Sequence, residues 1–437
     1  MIEFLTLFVG FVVGIHEVAV AVPAPVARVE IRRDGDLLAT IGGPPWRAPC
    51  DFGRELHPGR LEAIAFDADG HELDRDLQWL NLPGPWADAA IVAIRSATGE
   101  IEAAQLAWSS PEFEEPRRIV AELDGEPLKV RPPYRIDLGD LPEKAVHVLS
   151  VAFHFGPDAV LRRELAFGGN FAGSLDSGLT AVVVRLEDLD ELPEPPAMEG
   201  WFMADGVPLR VAAVEEPDAR IVIVRDPTVV NRLAEMMPEL QRRHRRSNRG
   251  GGRRKADDAF GSDVELRLLS PEPMTQLPRG STALLFPYSG RPAPGPDGVV
   301  AAAVGTAPGS LLGGPLMMAD AVAVAGLRAA EGNGRRAVVV LVGAQREDGS
   351  RFSPAIARQY LADLHVPLEV WDVSGPVADP PPGWGDLRPV DNVDDLIRAV
   401  RRVRVQVEDQ RVVWLSGRYL PQEIMLAPAA AGISLAE

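Results

Sequence analysis

Four consecutive β-branched residues, Ile221 to Val224, form a fully apolar run that ends at Asp226 and Pro227. The run shows no alternation of apolar and polar positions, which is typical of a parallel strand covered by helices on both faces. Two similar runs follow at residues 336–342 and 366–372, and helical stretches separate them. This order of elements predicts an α/β fold for the second half of the chain.

From Pro23 onward, the first half shows short alternating runs separated by Asp-Gly and Pro-Pro pairs, which is typical of antiparallel β structure. One set of features occurs twice in the same order at a nearly constant spacing. The first copy contains Asp34-Gly35, Pro44-Pro45-Trp46, Asp51-Phe52-Gly53, His57 and a strand at 61–66, and the second contains Asp124-Gly125, Pro132-Pro133-Tyr134, Asp137-Leu138-Gly139, His147 and a strand at 149–153. The repetition predicts two copies of one β module.

The two modules resemble the small immunoglobulin-like domains of secreted bacterial proteins, although the Cys…Trp…Cys signature of antibody domains is missing. Asp-Gly pairs provide the positive φ angles of tight hairpins, so we interpret the shared features as structural. For His57 and His147, which stand at equivalent places, a structural role is favoured over a ligand role.

The N-terminal segment contains an apolar run from Phe4 to Ile15, which has the length of a signal peptide, and a small-x-small pattern ends at Ala21. We therefore predict export to the periplasm or the extracellular space, with cleavage near Ala21. Glu3 stands where a cation is expected. An uncleaved anchor, a buried strand and a misassigned start remain as alternatives.

These patterns predict a multidomain chain, with two all-β sandwich (Ig-like) modules followed by a doubly wound α/β domain. The expected segments are a signal peptide or anchor at 1–22, β modules at 23–84 and 85–180, a β-rich connector at 181–216 and the α/β domain at 217–437. Asp205-Gly206 in the connector repeats the context of Asp124-Gly125, so a hairpin is expected to lead into the strand at Ile221.

Composition narrows the classes of partner. A net charge of −18 in 437 residues argues against nucleic acid, and membrane contact is expected only through an uncleaved N-terminal segment. The single cysteine, Cys50, excludes an intrachain disulfide and any cysteine-based metal site. After a helix at 228–240, the arginine-rich stretch Arg242 to Lys255 is interpreted as a solvated flexible loop, with contact to an anionic partner as the alternative.

Residues 217–437 resemble the von Willebrand factor type A domain. The resemblance rests on the strand that ends at Asp226, a helix at 316–330 after Gly313-Gly314-Pro315, the strand that ends at Val342-Gly343 and the helix and strand at 353–373. It implies a Mg²⁺ site formed by Asp-x-Ser-x-Ser after the first strand, a threonine before a later helix and an aspartate after the fourth strand.

The chain keeps only part of this implied ligand set. Asp226 and Thr228 remain, whereas Val230 replaces the second serine and Gly343 stands where the second aspartate belongs. Because Mg²⁺ requires several oxygen ligands, we expect a degenerate site that binds no ion tightly, and no other cofactor. Asp226 is equally consistent with a helix cap. Asp226 and Gly343 are expected side by side at the carboxyl ends of the strands.

The motifs of serine hydrolases, phosphate-binding loops, dinucleotide folds and zinc proteases are absent from the sequence. We therefore predict an exported, non-catalytic protein-binding or scaffolding protein whose type A domain contacts another protein. The alternative is a hydrolase that uses Asp226 with His365 or Asp372 at the same strand ends. A cytoplasmic assembly factor is the third possibility, if the N-terminal segment proves to follow a misassigned start.

Overall fold

The computed structural model describes residues 2–8, 10–22, 26–83, 88–95, 101–109, 115–131, 134–139, 147–155, 160–168, 171–174, 179–249, 264–273, 286, 316–331, 333–344, 347–375 and 381–437. The chain divides into two compact units, Met1–Ser177 with Pro278–Ala283 and Gly178–Leu277 with Leu284–Glu437. Within the described ranges, no helix is both long enough and apolar enough to cross a membrane.

The first unit contains two β-sandwich modules. Its strands are β1 (Glu3–Phe4), β2 (Ile15–Ala21), β3 (Arg28–Arg33), β4 (Asp36–Ile41), β5 (Arg47–Asp51), β6 (Gly59–Phe66), β7 (Glu72–Leu80), β8 (Asp88–Arg95), β9 (Ile101–Ser109), β10 (Arg118–Leu123), β11 (Glu126–Leu128), β12 (Arg135–Asp137), β13 (His147–His154), β14 (Val160–Gly168) and β15 (Phe171–Ser174). Sheets β4-β3-β6-β7 and β1-β2-β5 share one core, and sheets β11-β10-β13-β14-β15 and β12-β9-β8 share a second.

The repeat seen in the sequence corresponds to the same strand pairing in both modules. Each Asp-Gly pair closes a hairpin, β3–β4 or β10–β11, whose first strand also pairs with a later strand, β6 or β13. The turn residues have positive φ angles, 51° and 92° at Asp34 and Gly35, and 52° and 86° at Asp124 and Gly125. Positive φ at both positions matches the twist of tight hairpins, which is why the pair recurs.

Both repeated histidines lie against the aspartate of their own hairpin turn. His147 Nδ1 is 2.6 Å from Asp124 Oδ2, and His57 Nε2 is 3.9 Å from Asp34 Oδ2. In the first module, Arg33 donates to His57 Nε2 at 2.9 Å, so this nitrogen is an acceptor. Both histidines thus contact the hairpin turn of their own module, which agrees with the structural role favoured from the sequence.

The segment interpreted as a signal peptide is part of the first β module. β2 pairs with β5, and Ile2, Phe4, Val18 and Val20 are buried in the module's core. The described part of the apolar run lies mostly between β1 and β2 rather than in one buried strand, and the module begins before residue 23. Cleavage near Ala21 would remove β1 and β2 from this module.

Side-chain acceptors bind several backbone amides of this N-terminal segment. Four of its amide groups donate to acceptors on or just after β7. The bonds run from Ile2, Phe4, Phe8 and Val12 to Asp74, Asp76, Gln78 and Asn81, at 2.7, 2.8, 2.6 and 2.7 Å. The polar side chains of β7 therefore satisfy backbone groups that would otherwise be buried without a partner.

The second unit combines a parallel sheet with a third β module. Its strands are β16 (Leu179–Leu186), β17 (Phe202–Ala204), β18 (Val207–Leu209), β19 (Val211–Glu215), β20 (Ala219–Arg225), β21 (Val264–Leu269), β22 (Arg335–Val342), β23 (Leu368–Asp372), β24 (Arg388–Pro389), β25 (Gln410–Ser416), β26 (Ile424–Leu426) and β27 (Ile433–Leu435), and its helices are α1 (Val230–Arg249), α2 (Met318–Ala330), α3 (Pro354–Asp363) and α4 (Val393–Glu408).

The parallel sheet has the order β21-β20-β22-β23-β24 and helices on both faces. On one face, α1 and α4 cover a core that includes Ile221, Ile223, Val339 and Leu341. α2 contacts β20 and β22 and packs against α3. Every residue of β22 is buried, which explains why its sequence is apolar without alternation after its first two arginines. The α/β architecture predicted from the sequence is present here.

The predicted boundary at residue 216 lies between β19 and β20, which belong to different sheets, but the last part of the chain is not part of the parallel sheet. β16, β19, β25 and β27 form one sheet and β17, β18 and β26 form another, around a shared core. The residues interpreted as a connector and the last part of the chain therefore make a third β module. The parallel sheet and its helices, residues 219–408, lie between β19 and β25, two antiparallel neighbours in which Glu215 is opposite Val412. We call these residues the α/β body.

Buried polar contacts join the α/β body to the third module. The side chain of Gln410, which is fully buried, accepts from the Arg336 amide at 2.7 Å and donates to the Arg336 carbonyl at 2.9 Å. Arg335 donates to the Pro217 carbonyl at 2.7 Å, and Glu216 lies within salt-bridge distance of both Arg335 and Arg411. Both ends of the α/β body are thus bound to the start of β22.

The stretch at 242–255, interpreted as a loop, is helical in its first part because α1 continues to Arg249. Arginine is a good helix former, and cations are favourable near a helix C-terminus. Residues 250–255 lie outside the described residues, as does Gly313-Gly314-Pro315. The Pro-Pro pair at 132–133 and the predicted boundary between residues 84 and 85 lie outside them too.

Deleting the Phe4 side chain tests whether the N-terminal segment is structural. Phe4 is 2% exposed, whereas its neighbour Leu5 is 44% exposed. We expect Phe4→Ala to lower the free energy of unfolding of the first module by about 3–5 kcal/mol, and Leu5→Ala by less than about 0.5 kcal/mol. Hydrogen exchange of peptides from β2 and β5 measures both changes. Equal, small effects would show that the segment does not contribute to this core.

Candidate functional site

The carboxyl ends of the parallel strands form the edge at which the sequence places a site. β20 lies between β21 and β22. After β20 the chain forms β21 on one side of it and then crosses over to form β22 on the other side. Ligands of open α/β sheets bind in the crevice created by such a reversal. Asp226 follows β20 and Gly343 follows β22, and a Cβ on Gly343 would lie 3.3 Å from Asp226 Oδ2. The two residues are adjacent, as the sequence predicts.

Asp226 caps the turn that leads into α1. It is 4% exposed, and its Oδ1 accepts hydrogen bonds from the Thr228 amide and the Thr228 hydroxyl, both at 2.8 Å. Its own amide donates to the Leu341 carbonyl at 2.9 Å, which fixes it against β22. A carboxylate that accepts the first free amides of a helical segment is a standard N-cap. Of the two roles left open for Asp226, the structure shows the cap.

The residues around Asp226 do not fit Mg²⁺. A Cβ on Gly343 would lie 2.0 Å from Thr228 Oγ1 and 3.1 Å from Val229 Cγ1, so the place of a second aspartate is filled by the Thr228 side chain. The Thr228 hydroxyl donates its proton to Asp226, and Val230 offers no oxygen. Mg²⁺ requires near-octahedral coordination by oxygen, which two mutually bonded groups do not supply.

Two further carboxylates connect the N-terminus of α2 to the loop after β22. Asp348 accepts from the Met318 and Ala319 amides at 3.0 and 3.3 Å. In the opposite direction, Asp320 accepts from the Arg351 and Phe352 amides at 3.1 and 3.0 Å. Burial raises the pKa of the Asp320 carboxyl.

This reciprocal pair was not identified from the sequence. Its partners lie in another helix, and only the fold brings them together. The signal available in the sequence was an aspartate in the first turn of a predicted helix, which favours a capping role.

The hydrolase alternative pairs Asp226 with residues that the fold keeps apart. The His365 carbonyl accepts from Arg336 Nε at 3.3 Å, so His365 lies at the amino ends of the strands. At about 3.3 Å per residue, the rise from Arg336 to Leu341, beside Asp226, is roughly 17 Å. Asp372 is at the carboxyl edge, but β22 separates it from Asp226, and its Oδ1 accepts from the Ser374 amide at 2.9 Å.

His365 has a structural explanation. Its φ angle is 52°, and it follows the C-terminal residues of α3, the position where a helix commonly ends in the left-handed region. It is 3% exposed. Burial, and to a smaller extent the charge of Arg336, lowers the pKa of His365 to about 4, so the ring is neutral in the folded protein.

Among the described residues, one group of side chains approaches a metal-binding arrangement: Asp67, Asp69 and His71, in the turn between β6 and β7. Asp67 Oδ1 already accepts from the Asp69 and His71 amides at 2.9 and 2.8 Å. The cluster is therefore explained by the hydrogen bonds of the turn.

Comparisons with known proteins assign no family to the chain. No protein-family model matches it, and no curated protein does. The fibronectin(III)-like modules of CbhA from Clostridium thermocellum are 16% identical to it over 38% of this chain and 92% of theirs, with a TM-score of 0.16. The central fibronectin-III array of RIM-binding protein is 13% identical over 46% of this chain and 81% of that one, with a TM-score of 0.18. The β-sandwich description rests on the sheets themselves.

Substitutions at Gly343 and Thr228 test the packing at this edge. We expect Gly343→Ala to destabilise the second unit by roughly 1–3 kcal/mol, because the new methyl group overlaps the Thr228 hydroxyl. Thr228→Ala removes that oxygen, so the double variant should be more stable than the sum of the single effects by about 1 kcal/mol. Thr228→Ser keeps the hydroxyl, so it should not relieve the overlap with the new methyl group when it is combined with Gly343→Ala, and it serves as the control. Chemical unfolding measures the free energy of unfolding of the wild type and of each variant, and strict additivity of the Gly343→Ala and Thr228→Ala effects would contradict the described contact.

The buried neutral ring of His365 predicts a pH dependence of stability. Between pH 6.5 and about 4, the unfolded chain binds a proton on this residue and the folded chain does not. The contribution is therefore fully present above pH 6.5 and is lost as the pH falls towards 4, by about 3 kcal/mol in total. His365→Asn, which tolerates positive φ, should flatten this part of the profile. His71→Asn, at an exposed site, should leave it unchanged, and unfolding curves from pH 7 to 4.5 compare the three proteins.

Proposed function

We propose that this chain is an exported, non-catalytic protein-binding or scaffolding protein. In this proposal, the α/β body acts as a von Willebrand type A-like domain that contacts its partner at the carboxyl edge of the parallel sheet, without a complete metal site. In the same proposal, the β-sandwich modules serve as the scaffold to which this domain is attached. Export rests on the apolar N-terminal segment, and because that segment is built into the first module, we expect the exported protein to keep it.

The proposal rests on the hydrogen bonds that the acidic side chains at this edge accept. Asp226, Asp348 and Asp320 accept backbone amides at the start of helical segments or in loops, and Asp372 accepts from Ser374. Carboxylates bonded in this way maintain the shape of the edge. Within the described part of the edge, they form no acid–base pair of the kind a hydrolase requires.

Blocking each edge of the sheet tests the proposed contact. Ala344 is exposed directly after Gly343, and Asp218 is exposed at the opposite edge, just before β20. We expect Ala344→Tyr to weaken capture of the native partner by the full chain at least about tenfold, since bulk at the centre of an interface is poorly tolerated. Asp218→Tyr serves as the matched control and should leave capture unchanged.

The same experiment tests the role of metal. We expect the chelator EDTA to leave capture unchanged and Asp226→Ala to reduce stability by about 0.5–2 kcal/mol, as loss of a helix cap does, without abolishing binding. Loss of capture in EDTA would restore a metal-dependent contact. Turnover of a hydrolysable substrate that disappears in Asp226→Ala would instead establish an enzyme.

A further inference from the structure

Arg232 is a cation fixed at the carboxyl edge. It lies in the first turn of α1, and its Nη2 is 3.3 Å from Asp391 Oδ1 and 3.4 Å from the Asp391 carbonyl oxygen. Its Nη1 rests on Gly375, where a Cβ would lie only 2.3 Å from that nitrogen. Gly375 has a φ of 84°. The guanidinium therefore occupies a place that any other residue at position 375 would fill.

The hydrogen-bonding capacity of Arg232 is only partly used. A guanidinium offers five N–H donors in a planar fork, and both bonds to Asp391 use Nη2 and are long. Nε is buried and finds no acceptor, and the described polar contacts of Arg232 all use Nη2. The side chain nevertheless keeps 30% of its surface exposed, and that of Asp391 keeps 49%. An exposed ion pair of this kind stabilises the fold only weakly.

We propose that Arg232 receives a carboxylate of the protein partner, and that Asp391 occupies part of this place in the free protein. The inference rests on the proposed function and adds the chemistry of the contact. An arginine fork binds a carboxylate through two parallel hydrogen bonds, which adds geometric specificity to the charge. The contact with Asp391 shows that the guanidinium can donate to a carboxylate at this place.

The group that Arg232 already binds favours a carboxylate over a phosphate, because in the free protein that group is the carboxylate of Asp391, at 3.3 Å. Asp372 ends β23, whereas Asp226 and Asp391 follow β20 and β24, so the three carboxylates lie at the same edge of the sheet. Their negative field weakens the attraction of Arg232 for any incoming anion. The structure therefore points to an acidic side chain or a C-terminal carboxylate on the partner.

The direct test uses the Arg232 Nε–Hε resonance of the full chain, assigned with Arg232→Lys. The probe is the peptide Gly-Ser-Glu-Ser-Gly with both ends blocked. A blocked Gln peptide controls for charge, and a Gln peptide with a free C-terminus separates the two sources of carboxylate.

Arg358 provides the matched control, because its guanidinium lies against Gly385 in the same manner but on an exposed face of α3. We expect a saturable shift at Arg232 with a carboxylate peptide and none at Arg358.

Two variants should change the affinity for that peptide in opposite directions. Asp391→Asn removes the internal competitor and should raise it up to about fivefold, in line with an exposed ion pair. Arg232→Gln should lower it at least about tenfold, which peptide shifts of the neighbouring Gly375 amide report. If the ion pair were purely structural, both substitutions would change the affinity for the peptide in the same direction.

Several results would overturn the inference. These are no shift at Arg232, equal shifts with the neutral Gln peptide, an equal response at Arg358, or tighter binding of inorganic phosphate than of the carboxylate peptide. If the native partner is captured equally by wild type and Arg232→Gln, the inference fails while the proposed function stands. If no partner is captured at this edge, the proposed function fails, and the peptide titration still decides the chemistry of Arg232.

Discussion

The second unit depends on two hydrogen bonds between one side-chain amide and one peptide unit. Gln410 begins β25, and its amide group binds the amide and the carbonyl of Arg336, in the central strand of the parallel sheet. Removing this side chain would leave both backbone groups buried without a partner, at a cost of about 1–3 kcal/mol each. Arg336 in turn donates to the His365 and Ala330 carbonyls. The start of the sheet, the end of α2 and the third β module thus meet at one residue.

The elements of the α/β body were readable from the sequence, whereas the module around it was not. The run at Ile221 to Val224 has no alternation because both faces of β20 are covered, so its pattern alone identifies a buried parallel strand. The third β module has its halves at 179–215 and 410–435, and no local pattern joins them. The hairpin at Asp205-Gly206 was recognised, but its pairing with β26 depends on residues that are distant in sequence.

The N-terminal segment shows why an apolar pattern can be ambiguous. An N-terminal segment that packs into a core and a signal peptide both require a short apolar run, and the difference lies in what the rest of the chain offers as partners. Here the partners are Asp74, Asp76 and Gln78, which alternate along β7 and look in the sequence like solvent-facing positions. At the candidate site, Asp226 and Gly343 were placed correctly from strand order. The hydrogen bonds made by Asp320 and Asp348 and the position of Arg232 required the fold.

The arrangement of β19 and β25 has a consequence for how such a chain diversifies. The two strands pair as in a hairpin, and the α/β body occupies the position of the hairpin loop, with its entry and exit at Glu215 and Val412 side by side. An insertion whose ends are adjacent can be lengthened, shortened or exchanged without changing the path of the scaffold. The third β module can therefore hold insertions of different length between β19 and β25, and Gln410 is the residue whose side-chain amide any other inserted domain would have to bind.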